Sequence, residues 1–321
     1  MNQHSSISTY GDSSSAHTNL VSRRDWLATA SIASLMALAS PRSAKASSLE
    51  PSRPKICIFG KPIQGLSYDE VADLLAKHPI DGLEATVREG GQVDPSKIAE
   101  QLPRLHEALT KRSRGFMILA SEINRISHET VATLQLANKL GIEYFRMAYY
   151  RYQLDKPLIP QLEEFAKQVN ELAILCKELK VTGLYQNHAG ANYVGAPVLD
   201  LVSVLRGIPT SQIAIALDIR HTTVEATSSW PILYAAAKPH VGALFVKDAI
   251  IDQGKVKDVD LGQGKAAGEL FQKVKKDGLP PVLSLHTEQI DHVNPALLPK
   301  RIDAIVRDIA TLTAWLGETP K

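Results

Sequence analysis

The feature that most constrains this chain is an alternation. Eight short apolar runs, at 55–59, 80–86, 116–120, 143–148, 181–187, 213–218, 241–247 and 281–286, take turns with amphipathic stretches. The stretches carry their own punctuation. Ser67 with Glu70 three residues on reads as a capping box. Asp94-Pro95 reads as an N-cap followed by proline in the first turn, and Ile98, Leu102, Leu105 and Leu109 keep helical spacing. Further helices are predicted over 128–140, 160–179, 197–206, 230–237, 266–276 and 295–316. Strands alternating with helices pair in parallel through right-handed crossovers, and eight such units predict an α/β chain of the (β/α)8 TIM barrel class. The rival, an open doubly wound sheet, normally carries a glycine-rich phosphate turn after its first strand. Phe59-Gly60-Lys61-Pro62 lacks the later glycines, and there is no P-loop, so no nucleotide cofactor is expected.

The N-terminus reads as an address. Ser22-Arg23-Arg24-Asp25-Trp26-Leu27 precedes a mildly apolar stretch to Ser40 that is too short to span a bilayer, and Ala44-Lys45-Ala46 is a small-x-small cleavage site. The arginine pair resembles the twin-arginine export signal of bacteria. The expected organisation is a signal peptide at 1–46, a linker at 47–53 and the barrel at 54–317. A periplasmic or secreted location follows from it, without stable membrane insertion. Of 36 basic and 34 acidic side chains, Arg23, Arg24, Arg42 and Lys45 against Asp12 and Asp25 lie in the first 46 residues, so the remainder is formally neutral. That disfavours a nucleic-acid partner. Two cysteines, Cys57 and Cys176, are too few for a disulfide framework or a four-thiolate zinc site and read as small buried hydrophobes.

In a TIM barrel the chemistry sits at the C-terminal ends of the strands. There the chain places Glu84 and Arg88, Glu122, Arg146 with Tyr149 and Tyr150, Gln186-Asn187-His188, Asp218 with His221, Lys247-Asp248, and His286 with Glu288. Each has a plainer alternative. A carboxylate after a strand is often a helix N-cap, His188 and His221 could cap turns, and Arg146 could pair with Glu84 inside the barrel. Lys247 could hold a substrate oxygen, pair with Asp248 or Glu84, or form a Schiff base. Taken together, several buried ionisable groups around one axis require partners, a cation or a polyhydroxylated ligand.

Tyr185-Gln-Asn-His188, Leu217-Asp-Ile-Arg-His221, Val246-Lys-Asp248, Leu261-Gly-Gln-Gly264 and Leu283-Ser-Leu-His-Thr-Glu288 occur in an order that resembles the xylose isomerase-like TIM barrels. These include sugar phosphate isomerases and epimerases. The resemblance implies a small-molecule carbohydrate substrate and a divalent cation (Mn, Mg, Co or Zn) held by Glu, Asp, His and Glu on strands five to eight. Asp218 matches the Asp, and Glu288 or His286 the last position. Gln186 stands where Glu is expected and Phe245 where His is expected. The candidate metal ligands are therefore Gln186, Asp218 and Glu288, with a nearby histidine. The candidate catalytic residues are Glu84, His286, Glu288 and Lys247, and the substrate-binding residues Arg146, His188 and His221. The reaction expected is isomerisation or epimerisation by proton abstraction next to a carbonyl, with Glu84 returning the proton from the other face. A lyase or hydrolase acting on keto-sugars or glycosides, and a non-catalytic carbohydrate-binding barrel, are the alternatives. Assembly into a homo-oligomer is left open.

Overall fold

The structure, a computed structural model, describes residues 53–317. The expected export signal and all of the expected linker except Arg53 lie outside the described residues. Eight parallel strands close into a barrel: β1 (Lys55–Phe59), β2 (Gly82–Thr86), β3 (Phe116–Ala120), β4 (Tyr144–Arg146), β5 (Thr182–Gln186), β6 (Ile213–Asp218), β7 (Val241–Val246) and, after an antiparallel hairpin of β8 (Asp248–Asp252) and β9 (Lys255–Val259), β10 (Val282–Leu285). β10 pairs with β7 on one side and β1 on the other, which closes the ring. This is the expected TIM barrel.

The helices are α1 (Tyr68–Ala76), α2 (Ile98–Thr110), α3 (His128–Lys139), α4 (Leu158–Leu179), α5 (Leu199–Val204), α6 (Ile219–Ala226), α7 (Trp230–Ala237), α8 (Lys265–Asp277) and α9 (Leu298–Leu316). The capping box is present as read: Ser67 Oγ accepts from the Glu70 backbone N–H, and Glu70 accepts from that of Ser67. Asp94 caps as expected, but the turn it opens is 3-10, Pro95–Lys97, before α2 begins. No helix among the described residues is long and apolar enough to cross a membrane.

Two features differ from the sequence expectation. The strand six connection contains α6, and the expected Gly/Lys/Asp-rich loop after strand seven is the β8–β9 hairpin. Gln253 and Gly254 at its tip both have positive φ, 48° and 76°, the twist that a two-residue hairpin needs.

Alternation along the strands sorts the side chains into two populations. Leu83, Leu119, Phe145, Leu217, Leu244, Leu283 and their like point outward and pack under the helices. A smaller cluster, including Cys57, Ile118, Leu184, Ala214, Phe245 and Val282, fills the bottom of the ring. Cys57 and Cys176 are both free and buried, as expected. Above that plug the inward positions become polar, and the site begins there.

Candidate active site

Glu84 on β2 has a fully buried side chain. Arg146 on β4 meets it at 2.9 Å. His286, just beyond β10, bonds it at 2.8 Å through Nε2, and Ser284 donates its hydroxyl to the same carboxylate oxygen. Burial raises the Glu84 pKa, but Arg146 and then His286 outweigh it, so the carboxyl stays below its usual range. For His286 burial favours the neutral ring and Glu84 more than reverses this, so its pKa lies above 6.5. The imidazole is sandwiched between Phe59 and Phe245, each 4.6 Å away between ring centres. The pairing of Arg146 with Glu84 read as an alternative from the sequence is formed, and the guanidinium also lies 4.6 Å over Phe59. Glu84, expected to return a proton to the substrate, lies beneath the site and holds Arg146 and His286 in place.

The next layer up is built around Lys247, directly after β7. Its ammonium is 3.3 Å from Asp218 Oδ2 and 3.1 Å from Glu288 Oε2, and the side chain is only 9% exposed. Lys61, from the turn after β1, meets the other Glu288 oxygen at 3.1 Å. Burial pulls the lysine pKa down, and Asp218 and Glu288 more than restore it, so Lys247 remains an ammonium. Burial pushes Glu288 up, and Lys247 with His286 and Lys61 carries it well below the usual carboxylate range. Glu288 is therefore ionised, and about a fifth of its side chain is exposed.

The expected partners of Lys247, Asp248 or Glu84, are not the observed ones. Consecutive residues at the strand end point to opposite sides. Lys247 turns into the barrel, and Asp248 turns out, accepting backbone N–H bonds from Ala249, Gly262 and Gly264. The Leu261–Gly264 motif is thus a clasp tied to Asp248. A Cβ at Gly264 would stand 2.1 Å from Asp248 Oδ1 and 2.3 Å from the Ala249 carbonyl oxygen, so only glycine fits.

Asp218 ends β6 and caps α6: Oδ1 accepts from the His221 backbone N–H at 2.9 Å. Oδ2 accepts from Gln186 Nε2 at 2.7 Å. Its own N–H donates to Asn187 Oδ1 at 2.7 Å. Burial raises its pKa, but His221, then Lys247 and His286, hold it far below the usual range. The remaining Gln186 oxygen accepts from the Tyr149 hydroxyl at 2.5 Å, with Arg146 at 3.4 Å. Burial pushes that phenol up to about 12, so Tyr149 is a donor at any ordinary pH.

An aromatic wall stands beside this layer. His188 lies 4.0 Å from His221, 4.5 Å from Tyr193 and 5.1 Å from Tyr149, ring centre to ring centre. His188 Nδ1 is 2.7 Å from the Ala189 carbonyl oxygen, an acceptor, so Nδ1 carries the hydrogen in this bond. His221 Nδ1 is 3.0 Å from Arg220 Nη1, and a guanidinium only donates, which assigns the His221 hydrogen to Nε2. That Nε2 is buried without a hydrogen-bond partner among the described residues, 3.7 Å from Asp218 Oδ2. Burial holds the His221 pKa well below 6.5, so the ring is neutral.

The expected metal ligands do not present themselves to a metal. A divalent ion needs several oxygen or nitrogen donors turned toward one point. Gln186 turns its amide N–H to Asp218, Lys247 stands between Asp218 and Glu288, and Phe245 offers no donor. No group of three His, Cys, Asp or Glu among the described residues is arranged to hold an ion. The expected grouping of Arg146, Gln186, Asp218, His221, Lys247, His286 and Glu288 at one end of the barrel does hold. Lys61 was not singled out from the sequence, although the same strand-end logic reaches it: it is the first charged residue after β1.

No curated protein matches the sequence. Among solved structures, an L-ribulose 3-epimerase superposes with a TM-score of 0.64 at 14% identity, covering 83% of this chain and 95% of its own. The 3-keto-D-glucoside 4-epimerase YcjR from E. coli gives 0.60 at 11%, covering 83% and 99%. The IolI protein, solved with a bound zinc atom, gives 0.60 at 15%, covering 82% and 98%. At such identities the likeness is one of fold. Residues 72–314 match the family described as xylose isomerase-like TIM barrel, which takes in all of the site except Phe59 and Lys61, and with that match the chain belongs to this family.

Proposed function

We propose that the chain is a carbohydrate isomerase or epimerase that removes a proton next to a carbonyl. The observation that carries this is the contact of Glu288 with Lys247 at the barrel mouth: an ionised, partly exposed carboxylate 3.1 Å from an ammonium. Proton abstraction at carbon needs a base and, beside it, a positive charge for the oxygen that becomes an enolate. Glu288 takes the proton, the C–H electron pair moves toward the carbonyl carbon, and the carbonyl π pair moves onto oxygen facing Lys247. The Nε2–H of His221 donates to a neighbouring substrate oxygen. Return of the proton by Glu288 to the former carbonyl carbon, with the proton of the neighbouring hydroxyl passing to the enolate oxygen as the new carbonyl forms, completes an isomerisation. Epimerisation needs instead a proton delivered to the opposite face of the same carbon. The rings of Tyr149, Tyr193 and His188 suit the apolar C–H face of a sugar. The Arg23-Arg24 pair supports export, and a substrate met outside the cytoplasm is proposed on that basis.

The test is exchange. Purified protein is incubated with a panel of ketoses, aldoses and 3-keto-glycosides in deuterated water, and deuterium at carbon is followed by NMR. Exchange with at least one sugar is expected, reduced roughly 100-fold or more in Glu288→Gln, as for loss of a general base. Absence of exchange across the panel, or expulsion of a leaving group without exchange into recovered substrate, overturns the assignment.

A further inference from the structure

We propose that Lys247 is the built-in cation of this barrel, standing where a divalent ion would otherwise join Asp218 to Glu288, and that the site holds no resident metal.

Position comes first. The ammonium nitrogen lies 3.3 Å from one carboxylate and 3.1 Å from the other, on a side chain that is almost wholly buried. An ion bridging the same two oxygens would need them at roughly 2.0–2.6 Å, and would have to share the gap with a positive charge. Orientation points the same way. Asp218 is ringed by donors: the Gln186 amide, the His221 backbone N–H and Lys247. Each turns a hydrogen toward the carboxylate, the opposite of what a metal ligand's surroundings supply. The Gln186 oxygen, the atom a cation would use, faces away toward Tyr149 and Arg146.

Charge balance closes the case. Arg146 pairs with Glu84, Lys247 and Lys61 pair with Asp218 and Glu288, and His286 bridges the two groups between Glu84 and Glu288, so three carboxylates meet at least three positive charges. In a low-dielectric interior a cluster whose carboxylates are already balanced has no electrostatic demand for a dication, and adding one would leave at least two positive charges uncompensated. At Phe245 an aromatic ring packs against His286 where a ligand would be needed. The replacement is coherent: a lysine supplies the charge, a glutamine removes a competing carboxylate, and a phenylalanine fills the space.

The measurement does not use turnover, so it is independent of the proposed reaction. The protein is expressed in medium supplemented with manganese and zinc, purified without chelator or metal-affinity resin, and assayed for metal by mass spectrometry. MnCl2 is then titrated into wild type, Lys247→Met and Lys247→Arg, with binding followed by electron paramagnetic resonance and by melting temperature. Wild type and Lys247→Arg should purify without stoichiometric metal, gain no melting temperature from manganese and lose none to EDTA. Lys247→Met, which frees two carboxylates, should bind manganese roughly 100-fold more tightly than wild type, as expected for removing a like charge a few ångströms away. Should Lys247→Met fail to fold alone, its recovery on refolding with manganese but not without is the equivalent supporting result. Stoichiometric metal in the wild type, an EDTA-sensitive melting temperature, or no gain of manganese affinity or manganese-dependent folding in Lys247→Met overturns the proposal.

Discussion

Glu84 shows how much of this site is hidden foundation. One carboxylate, out of reach of solvent, orders Arg146 on one side and His286 on the other. Substituting Glu84→Gln should destabilise the fold by about 3–5 kcal/mol, the cost of leaving buried cationic partners uncompensated, as measured by urea unfolding. It should also lower the His286 pKa, because the carboxylate is what lifts it. In the wild type, imidazole NMR should show His286 titrating above the ordinary histidine value and His221 well below it. The two rings act on stability with opposite signs. His286, raised on folding, stabilises fully below the ordinary histidine value, and that contribution fades as the pH rises through its folded value. His221 is depressed, so the unfolded chain takes up a proton that the folded ring refuses, and acidification below 6.5 costs stability. The sequence identified both rings and their place at strand ends. It could not identify partners, because reach around a ring is set by register between strands distant in the chain. Lys247 is the clear instance: its neighbour Asp248 was the natural guess, and strand alternation sends the two side chains to opposite sides.

Strands were legible to within a residue or two, and β1, β3 and β6 coincide with the runs read from the sequence. The elements that escaped did so for two reasons. α6 contains Thr222, Thr223 and Val224 in succession, β-branched residues that weaken a helical signal; its start is secured instead by the Asp218 cap. The β8–β9 hairpin turns at Gln253-Gly254 rather than at the Asn-Gly or Asp-Gly pair that marks such turns most clearly, β8 has only three apolar residues between two aspartates, and β9 sets its two valines among charged residues. The clasp behind that hairpin can be tested at one position. Gly264→Ala forces a methyl group onto Asp248 and the Ala249 carbonyl, and should cost about 1–3 kcal/mol or more by denaturant unfolding. An unchanged midpoint would show that the loop relocates freely.

At the scale of the whole molecule, alternation alone specified the architecture, because eight right-handed strand–helix units have few other ways to cover both faces of every strand. Residue types at the strand ends then located the site, whereas a metal set inferred from resemblance was displaced by groups that satisfy one another. The address at the N-terminus is tested in the cell. Replacing Arg23 and Arg24 with lysine should retain the protein in the cytoplasm, measured by fractionation of a bacterial host carrying the twin-arginine pathway. Equal export of both forms would remove the basis for an extracytoplasmic substrate.

The lysine bridge between Asp218 and Glu288 has a consequence for supply. A charge fixed to the polypeptide is delivered by translation itself. It needs no loading partner, cannot be stripped by a competitor's scavenging molecules, and cannot be swapped for a worse ion when the surroundings change.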